Sequence, residues 1–511
     1  PPVLTPATDV GWDPAKSQSM PRTSLGLVHR RLTTWKLEPG KPVELAPDLA
    51  TDTGKASDDG RTWTFTLKKG LKLSDGSAIT SAHIKHGVER SFAPALSGGL
   101  GYHKSLLAGA EGYQGPYSGA HLSSIETPDE STIVFHLARA FGDWPWIVAQ
   151  PAFSPVPEGD DPATYSHAPI ASGPYQIDQY KQGSSITLKR NPHWSKDTDS
   201  VRLALPDTFT FSLGQDETTS AQRLIADSGE DRNAFGADRV SAAQLAQVSA
   251  NESAKSRLAT SPEGGPLAFL AINVQRVSDV NVRKAIAHAV DRSTIVSSIL
   301  KGQATVATGI EPPDQLGSEI GEQAAADAQA GLPIDSFDLD AARAELAQSK
   351  VPGGFDAELT YPSSIPDLGS AALAIADNLK QIGINLTVTS KPIEEWISEV
   401  GSGTYGLSYM SYTSTTGDPG EVAGWLLGPD NPARYENAQV QGLIASQAAQ
   451  TDPSARVADI VEAERIAQDN TIYSPIWWGK TSTAFSSSVT PTQYTPYFFN
   501  TPWAASLELT R

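Results

Sequence analysis

The chain has 511 residues, 39% of them apolar, with eleven tryptophans, no cysteine and a formal charge of −19. That length exceeds one ordinary hydrophobic core, so two or three domains are expected, and the apolar content is that of a folded protein. The acidic balance repels nucleic-acid backbones and anionic lipid. The lack of cysteine removes disulfides and thiolate chemistry, and no apolar run approaches the roughly 18 residues of a membrane span.

The N-terminal PPVLTPATDVGWDPA has no basic segment followed by an apolar run, so a signal peptide is expected to have been removed. In SDDGRTWTFTLKKGLKLSDGS (57–77), Trp63, Phe65 and Leu67 alternate with threonines, the period of a half-buried strand. Gly70 is expected to turn the chain into a second short strand through Leu71 and Leu73, closed by Asp75-Gly76. A helix capped by Thr80 or Ser81 follows, with Ile84, Val88 and Phe92 on one face. TIVFHL (132–137) alternates again, 151–169 reads as a connection, and 172–194 is a hairpin turning at Gln182-Gly183.

From Pro266 the character changes. LAFLAINV (267–274) has the content of a buried strand, and Asp279 or Asn281 caps a helix running through VRKAIAHAVDRSTIVSSIL (282–300). AELTYP (357–362), the helical ALAIADNLKQIGI (372–384) and NLTVTS (385–390) make a strand–helix–strand unit, with Gly383 at the helix C-cap. The class is α/β, with at least two lobes.

Catalytic signatures are weak. No G-x-S-x-G elbow occurs, and the Gly-Lys-Thr of WWGKTS (477–482) has Ser474 and Pro475 where a phosphate loop needs glycine and free amides. His83, His86 and Glu89 fall on one helical face and could offer metal ligands, although a solvated helix face explains them as well. No facing pair of carboxylates stands out, so a binding protein is expected and no catalytic residue is assigned.

The order of segments resembles a known family. LAPDLATDTGKASDDGRTWTFTLKKGLKLSDGSAITSAHIKHGVER (45–90) is similar to the signature of family 5 extracellular solute-binding proteins, the peptide/nickel-type receptors of ABC importers. SGPYQIDQYKQGSSITLKRNPHW, INVQRVSDVNVRKAIAHAVDRSTIVSSILKGQA and FDLDAARAELAQS resemble further family segments in the same order. The resemblance implies an α/β, two-lobed, periplasmic-binding-protein-like (type II) fold, with a ligand cleft between lobes and an extra subdomain in the first. The implied boundaries are 1–42, 166–264 and 481–511 for lobe 1, 43–165 for its subdomain and 265–480 for lobe 2. It further implies solute capture outside the cell without covalent chemistry or cofactor, delivery to membrane permease subunits, a monomer, and a lipid anchor that this chain lacks.

In YTSTTGDPGEVAGWL (412–426), the resemblance places the segment at the cleft. Peptide-binding members carry an aspartate for the ligand ammonium where this chain has Thr415, and dipeptide binders an arginine where it has Gly369 and Ser370. A hydroxyl cannot neutralise an ion in a closed cleft, so a free dipeptide is disfavoured, unless Asp418 or Glu421 takes the ammonium. An oligopeptide or modified peptide is the expected ligand, with an oligosaccharide or glycoside as the alternative and a nickel or metal chelate third. The expected ligand-binding residues are Met20, Tyr102, Trp396, Tyr412, Ser414, Thr415 and Asp418, while Trp425 reads as core packing.

Overall fold

The computed structural model describes residues 1–5, 7, 9–16, 26–36, 44–96, 99, 101–236, 240, 242–260, 266–334, 336–363, 366–412, 414, 418–480, 482–490, 494–495, 501–502 and 508–509. The chain divides into two units, Pro1–Ser261 with Thr481–Arg511, and Pro262–Lys480.

The first unit contains two main sheets. Strand β1 (Pro2–Leu4) is followed by β2 (Lys55–Ser57), β3 (Thr62–Thr66), helix α1 (Ser81–Arg90), β4 (Ile125–Asp129) and β5 (Thr132–His136). β2 to β5 form an antiparallel sheet in the order β2-β3-β5-β4. Trp63, Phe65 and Leu67 are buried on its inner face, as their alternation predicts. Leu71 and Leu73 are buried without forming a strand. A single bridge between Lys72 and Ala78 spans a tight turn, in which Asp75 Oδ1 accepts from the Ser77 amide and Gly76 takes φ +89°.

The second sheet comprises β6 (Tyr175–Lys181), β7 (Ser185–Arg190), β8 (Thr208–Ser212) and β9 (Phe235–Gly236) in the order β9-β1-β8-β7-β6. β1 runs parallel to both its neighbours, whereas β6 and β7 form the hairpin expected around Gly183.

The second unit is a sheet covered on both faces. Its strands are β10 (Leu267–Ile272), β11 (Ala304–Val306), β12 (Phe355–Pro362), β13 (Ile384–Lys391), β14 (Leu407–Tyr412) and β15 (Tyr473–Gly479), ordered β11-β15-β10-β14-β12-β13. Every residue of β10 is buried, and its side chains alternate between two cores. Ala268, Leu270 and Ile272 join one, packed by α2 (Val280–Ala289); Leu267, Phe269 and Ala271 join the other. A strand buried on both sides reads as an unbroken apolar run, which is why LAFLAI carries no polar alternation.

The helix expected over 282–300 is interrupted. α2 ends at Ala289, a single helical turn covers Arg292–Thr294, and a π turn covers Ile295–Ile299. Asp291 caps the new turn through the Thr294 amide, and the buried Arg292 guanidinium donates to the Pro475 carbonyl and to Ser474 Oγ on β15. These bonds outweigh continuation of the helix.

Five further helices of this unit matter below: α3 (Pro313–Ile320), α4 (Glu322–Gln329), α5 (Pro366–Lys380), α6 (Ile393–Ser402) and α7 (Gly420–Leu427). Behind them run α8 (Ala438–Ala449) and α9 (Pro453–Asp469). α5 supplies Leu368, Ile375 and Leu379 to the first core and ends before Gly383, whose φ of +89° suits only glycine.

Candidate functional site

The candidate site stands where β14 runs out and α7 begins. Tyr412, the last residue of β14, donates its hydroxyl to Glu421 Oε1 at 2.9 Å, and Ser414 Oγ donates to Glu421 Oε2 at 2.9 Å. The Tyr412 ring stacks on Trp425 with centroids 4.5 Å apart and an 18° interplanar angle. Glu421 and Trp425 are four residues apart on α7 and therefore share a face, so one tyrosine meets both. Glu421 lies in the first helical turn, where the helix dipole favours a carboxylate. Tyr412, Glu421 and Trp425 are all half-buried. Together they offer an aromatic face and a negative charge side by side.

Beneath this surface the α7 N-terminus is held by buried acids. Asp418 accepts from the Gly420 amide at 2.7 Å and from the Arg456 guanidinium of α9, and its carbonyl accepts from Gln315 of α3 at 2.8 Å. Burial raises the Asp418 carboxyl to about 7, with the Gly420 amide opposing that shift and the nearby Glu421 adding to it. A Cβ on Gly420 would stand 2.3 Å from Gln447 Oε1 and 2.7 Å from Arg456 Nη2, so a larger residue would displace both side-chain ends. Glu311 reaches α7 from the other side, accepting from the Ala423 amide at 2.8 Å. Glu464 of α9 accepts from the Ile310 amide at 2.5 Å. Burial pushes Glu464 up to about 8, and burial with the neighbouring acids Glu464, Asp418 and Glu421 pushes Glu311 well above the usual range.

The residues expected at the site are distributed as follows. Tyr412 and Ser414 converge on Glu421. Asp418 is buried and its carboxylate meets Arg456. Trp396, on α6, is 8% exposed within the second core, and its indole N–H donates to Ser408 Oγ of β14 at 3.0 Å, which makes it a support for that strand. Tyr102 is half-buried at the start of a short helix, Tyr102–Leu106, in the first unit. Met20 and Thr415 lie outside the described residues. Trp425, read as core, packs against Phe269 on one side and stacks on Tyr412 on the other. The Glu-x-x-x-Trp spacing directly after Pro419 was the signal that pairs it with Glu421.

His83, His86 and Glu89 each have separate partners. His83 Nδ1 accepts from the Thr80 amide, His86 bonds Asp160 at 2.7 Å, and Glu89 holds His121 and the Leu122 amide. Among the described residues no group of three or more such side chains could hold a metal ion.

The family model for bacterial extracellular solute-binding proteins, family 5 Middle, matches residues 44–434, more than half of the chain. The chain belongs to the family 5 solute-binding proteins. Its function is accordingly that of a substrate-binding protein of the ABC-importer type, and the resemblance of the 45–90 segment led to the same family. The chain is similar to the probable D,D-dipeptide-binding periplasmic protein DdpA of Escherichia coli K12, at 23% identity over 87% of this chain and 81% of that one. It is also similar to the glutathione-binding protein GsiB of Salmonella choleraesuis, at 26% identity over 85% and 81%. Among solved structures, "Clavulanic acid biosynthesis oligopeptide binding protein 2" superimposes with a TM-score of 0.86 at 29% identity, covering 100% of this chain and 95% of that one. The α/β fold of this family 5 protein is the periplasmic-binding-protein-like fold of those relatives. Among the described residues no helix is long and apolar enough to cross a membrane.

Proposed function

We propose that this family 5 protein captures an oligopeptide or modified peptide and presents it to membrane permease subunits, with the 412–425 segment as its ligand loop. The observation that carries the reading is the stacked Tyr412–Trp425 pair set against the Glu421 carboxylate. An aromatic face binds an apolar or planar side chain, and a carboxylate in a helix first turn accepts hydrogen bonds from amides or an amine. The relatives named above for dipeptide, glutathione and oligopeptide binding support a peptide ligand over a glycan. In this reading the protein acts without catalysis and works outside the cell as a monomer, tethered by a lipid anchor. Residues 43–165 form an extra subdomain of the first lobe.

The test is a thermal-shift screen on protein stripped of carried-over ligand by unfolding and refolding. A pool of tri- to pentapeptides is compared with a pool of short oligosaccharides. A ligand bound by the folded state alone raises the midpoint with the logarithm of its concentration over Kd. Peptides should shift the midpoint, and Tyr412→Ala and Trp425→Ala should each reduce the shift. A response to sugars alone would move the assignment to a glycan receptor.

A further inference from the structure

Glu311 and Glu464 are wholly buried. Each gives one oxygen to a backbone N–H on another segment, Ile310 for Glu464 and Ala423 of α7 for Glu311. The second oxygen of Glu311 has no hydrogen-bond partner among the described residues, while the Glu464 carboxyl has the buried Gln468 side chain beside it. A buried carboxylate with a bare oxygen is far costlier than a neutral carboxyl, whose O–H can turn to an acceptor. Gln329 of α4 donates its amide nitrogen to the Glu311 backbone carbonyl, and the same nitrogen borders Gly309 together with the Glu464 carboxyl.

The surroundings add negative charge. Asp418, just before α7, and Glu421 on it lie near Glu311, and Asp314 lies on α3. α9 brings Asp459, one oxygen of which is buried, and Arg456, which is engaged with Asp418. α4 and α8 contribute the amides of Gln329 and Gln447.

We propose that Glu311 and Glu464 form a proton-dependent latch on α7, closed while both are protonated and loosened when they ionise. Proton uptake then fixes the helix that carries Glu421 and Trp425. The functional consequence rests on reading the 412–425 segment as the ligand loop. The chain of contacts is continuous: Glu464 holds Ile310, the next residue Glu311 holds Ala423, and Ala423 lies between Glu421 and Trp425. The raised proton affinity of Glu464 places its transition between the ordinary carboxylate range and about pH 8, and Glu311 is shifted in the same direction.

The experiment is amide hydrogen exchange of residues 420–427 in the unliganded full chain, corrected for intrinsic rates, from about pH 5 to about pH 9. Each proton lost on opening should raise exchange about tenfold per pH unit within that window. Glu464→Gln, which keeps an acceptor for Ile310 and removes the charge, should flatten the rise and keep the segment protected at high pH. If that variant does not fold, Glu311→Gln is read in the same way. Flat exchange in the wild type, or an unchanged rise in a folded variant, overturns the latch. No ligand enters this measurement. A working latch combined with peptide affinity indifferent to Tyr412 and Trp425 would refute the ligand-loop reading alone. Flat exchange with affinity that depends on those residues would refute the latch alone.

Discussion

Each unit buries a polar cluster, and the two clusters differ in charge balance. In the first unit, Asp48 receives Arg30 Nε at 2.7 Å and both Arg202 terminal nitrogens at 2.8 Å, while Asp199 receives Arg202 at 3.1 Å. Cations outnumber the two acids there, since Arg31 and Lys68 join Arg30 and Arg202, and further guanidinium hydrogens reach carbonyls of Gly26 and Thr198. In the second unit, Glu311 has Glu464, Asp418 and Glu421 as neighbouring acids, and Arg456 pairs with Asp418. Burial opposes ionisation in both places. Arg202 and Arg30 overcome it, so Asp48 and Asp199 are held below the usual carboxylate range, whereas Glu311 and Glu464 are pushed above it. Equal burial thus gives opposite protonation, and the local count of cations decides which.

The largest effect should come from breaking the cation-rich cluster. Asp48→Ala leaves Arg30 and Arg202 buried without their main carboxylate, and should cost about 3–5 kcal/mol in the unfolding of the first unit. Urea denaturation at neutral pH measures it. A loss no greater than that of an exposed ion pair would mean that the arginines find water on mutation.

The second prediction concerns pH, and the two clusters differ in sign. Glu464 has a folded-state pKa raised to about 8, so its contribution is fully present below the unfolded value and is lost as pH rises toward 8. Each pKa unit corresponds to about 1.4 kcal/mol. Asp199 is shifted down, so its contribution is present above the unfolded value and is lost only on acidification below it. Melting curves should therefore show the second unit losing stability between about pH 5 and about pH 8, with the first unit weakening only below about pH 4. A melting temperature constant from mild acid to mild base would remove the distinction between the clusters.

Smaller effects test how the strand below the site is held. Trp396→Phe removes the indole bond to Ser408 and should cost about 1 kcal/mol. Tyr412→Phe removes one bond to Glu421, should also cost about 1 kcal/mol, and should weaken peptide affinity by more than Trp396→Phe does. Equal loss of affinity in the two variants would make Trp396 a ligand contact instead of a support.

The balance between the two clusters also explains how far the sequence could be read. The fold was legible because its signals are local: alternation in TWTFTL, the unbroken apolar run of LAFLAI, and the caps at Thr80 and Asp279 each lie within a few residues. The Tyr412–Glu421–Trp425 arrangement was legible in part, since a proline followed by a carboxylate and a tryptophan one turn later is also local. The acid latch was not. Ile310 and Glu464 are 154 residues apart, and Glu311 and Ala423 are 112 apart, so no spacing rule joins them. The break after Ala289 was missed for the same reason, because it depends on Arg292 reaching a strand 183 residues away.

The smallest effect is the control for the comparison. Arg465 on α9 pairs with Glu462 at 2.7 Å and with Asp469 at 2.9 Å, distances like those around Asp48. Its partners are exposed, with 41% and 51% of their side chains open to solvent, against 0% for Asp48. Water and salt screen charges there, and the long side chains lose rotamer freedom by pairing. Arg465→Gln should therefore leave the denaturation midpoint where it is, at low and high salt alike. If it instead shifted the midpoint as Asp48→Ala does, distance alone would set the strength of an ion pair in this protein. The opposite protonation of the two buried clusters would then need a cause other than their cation count.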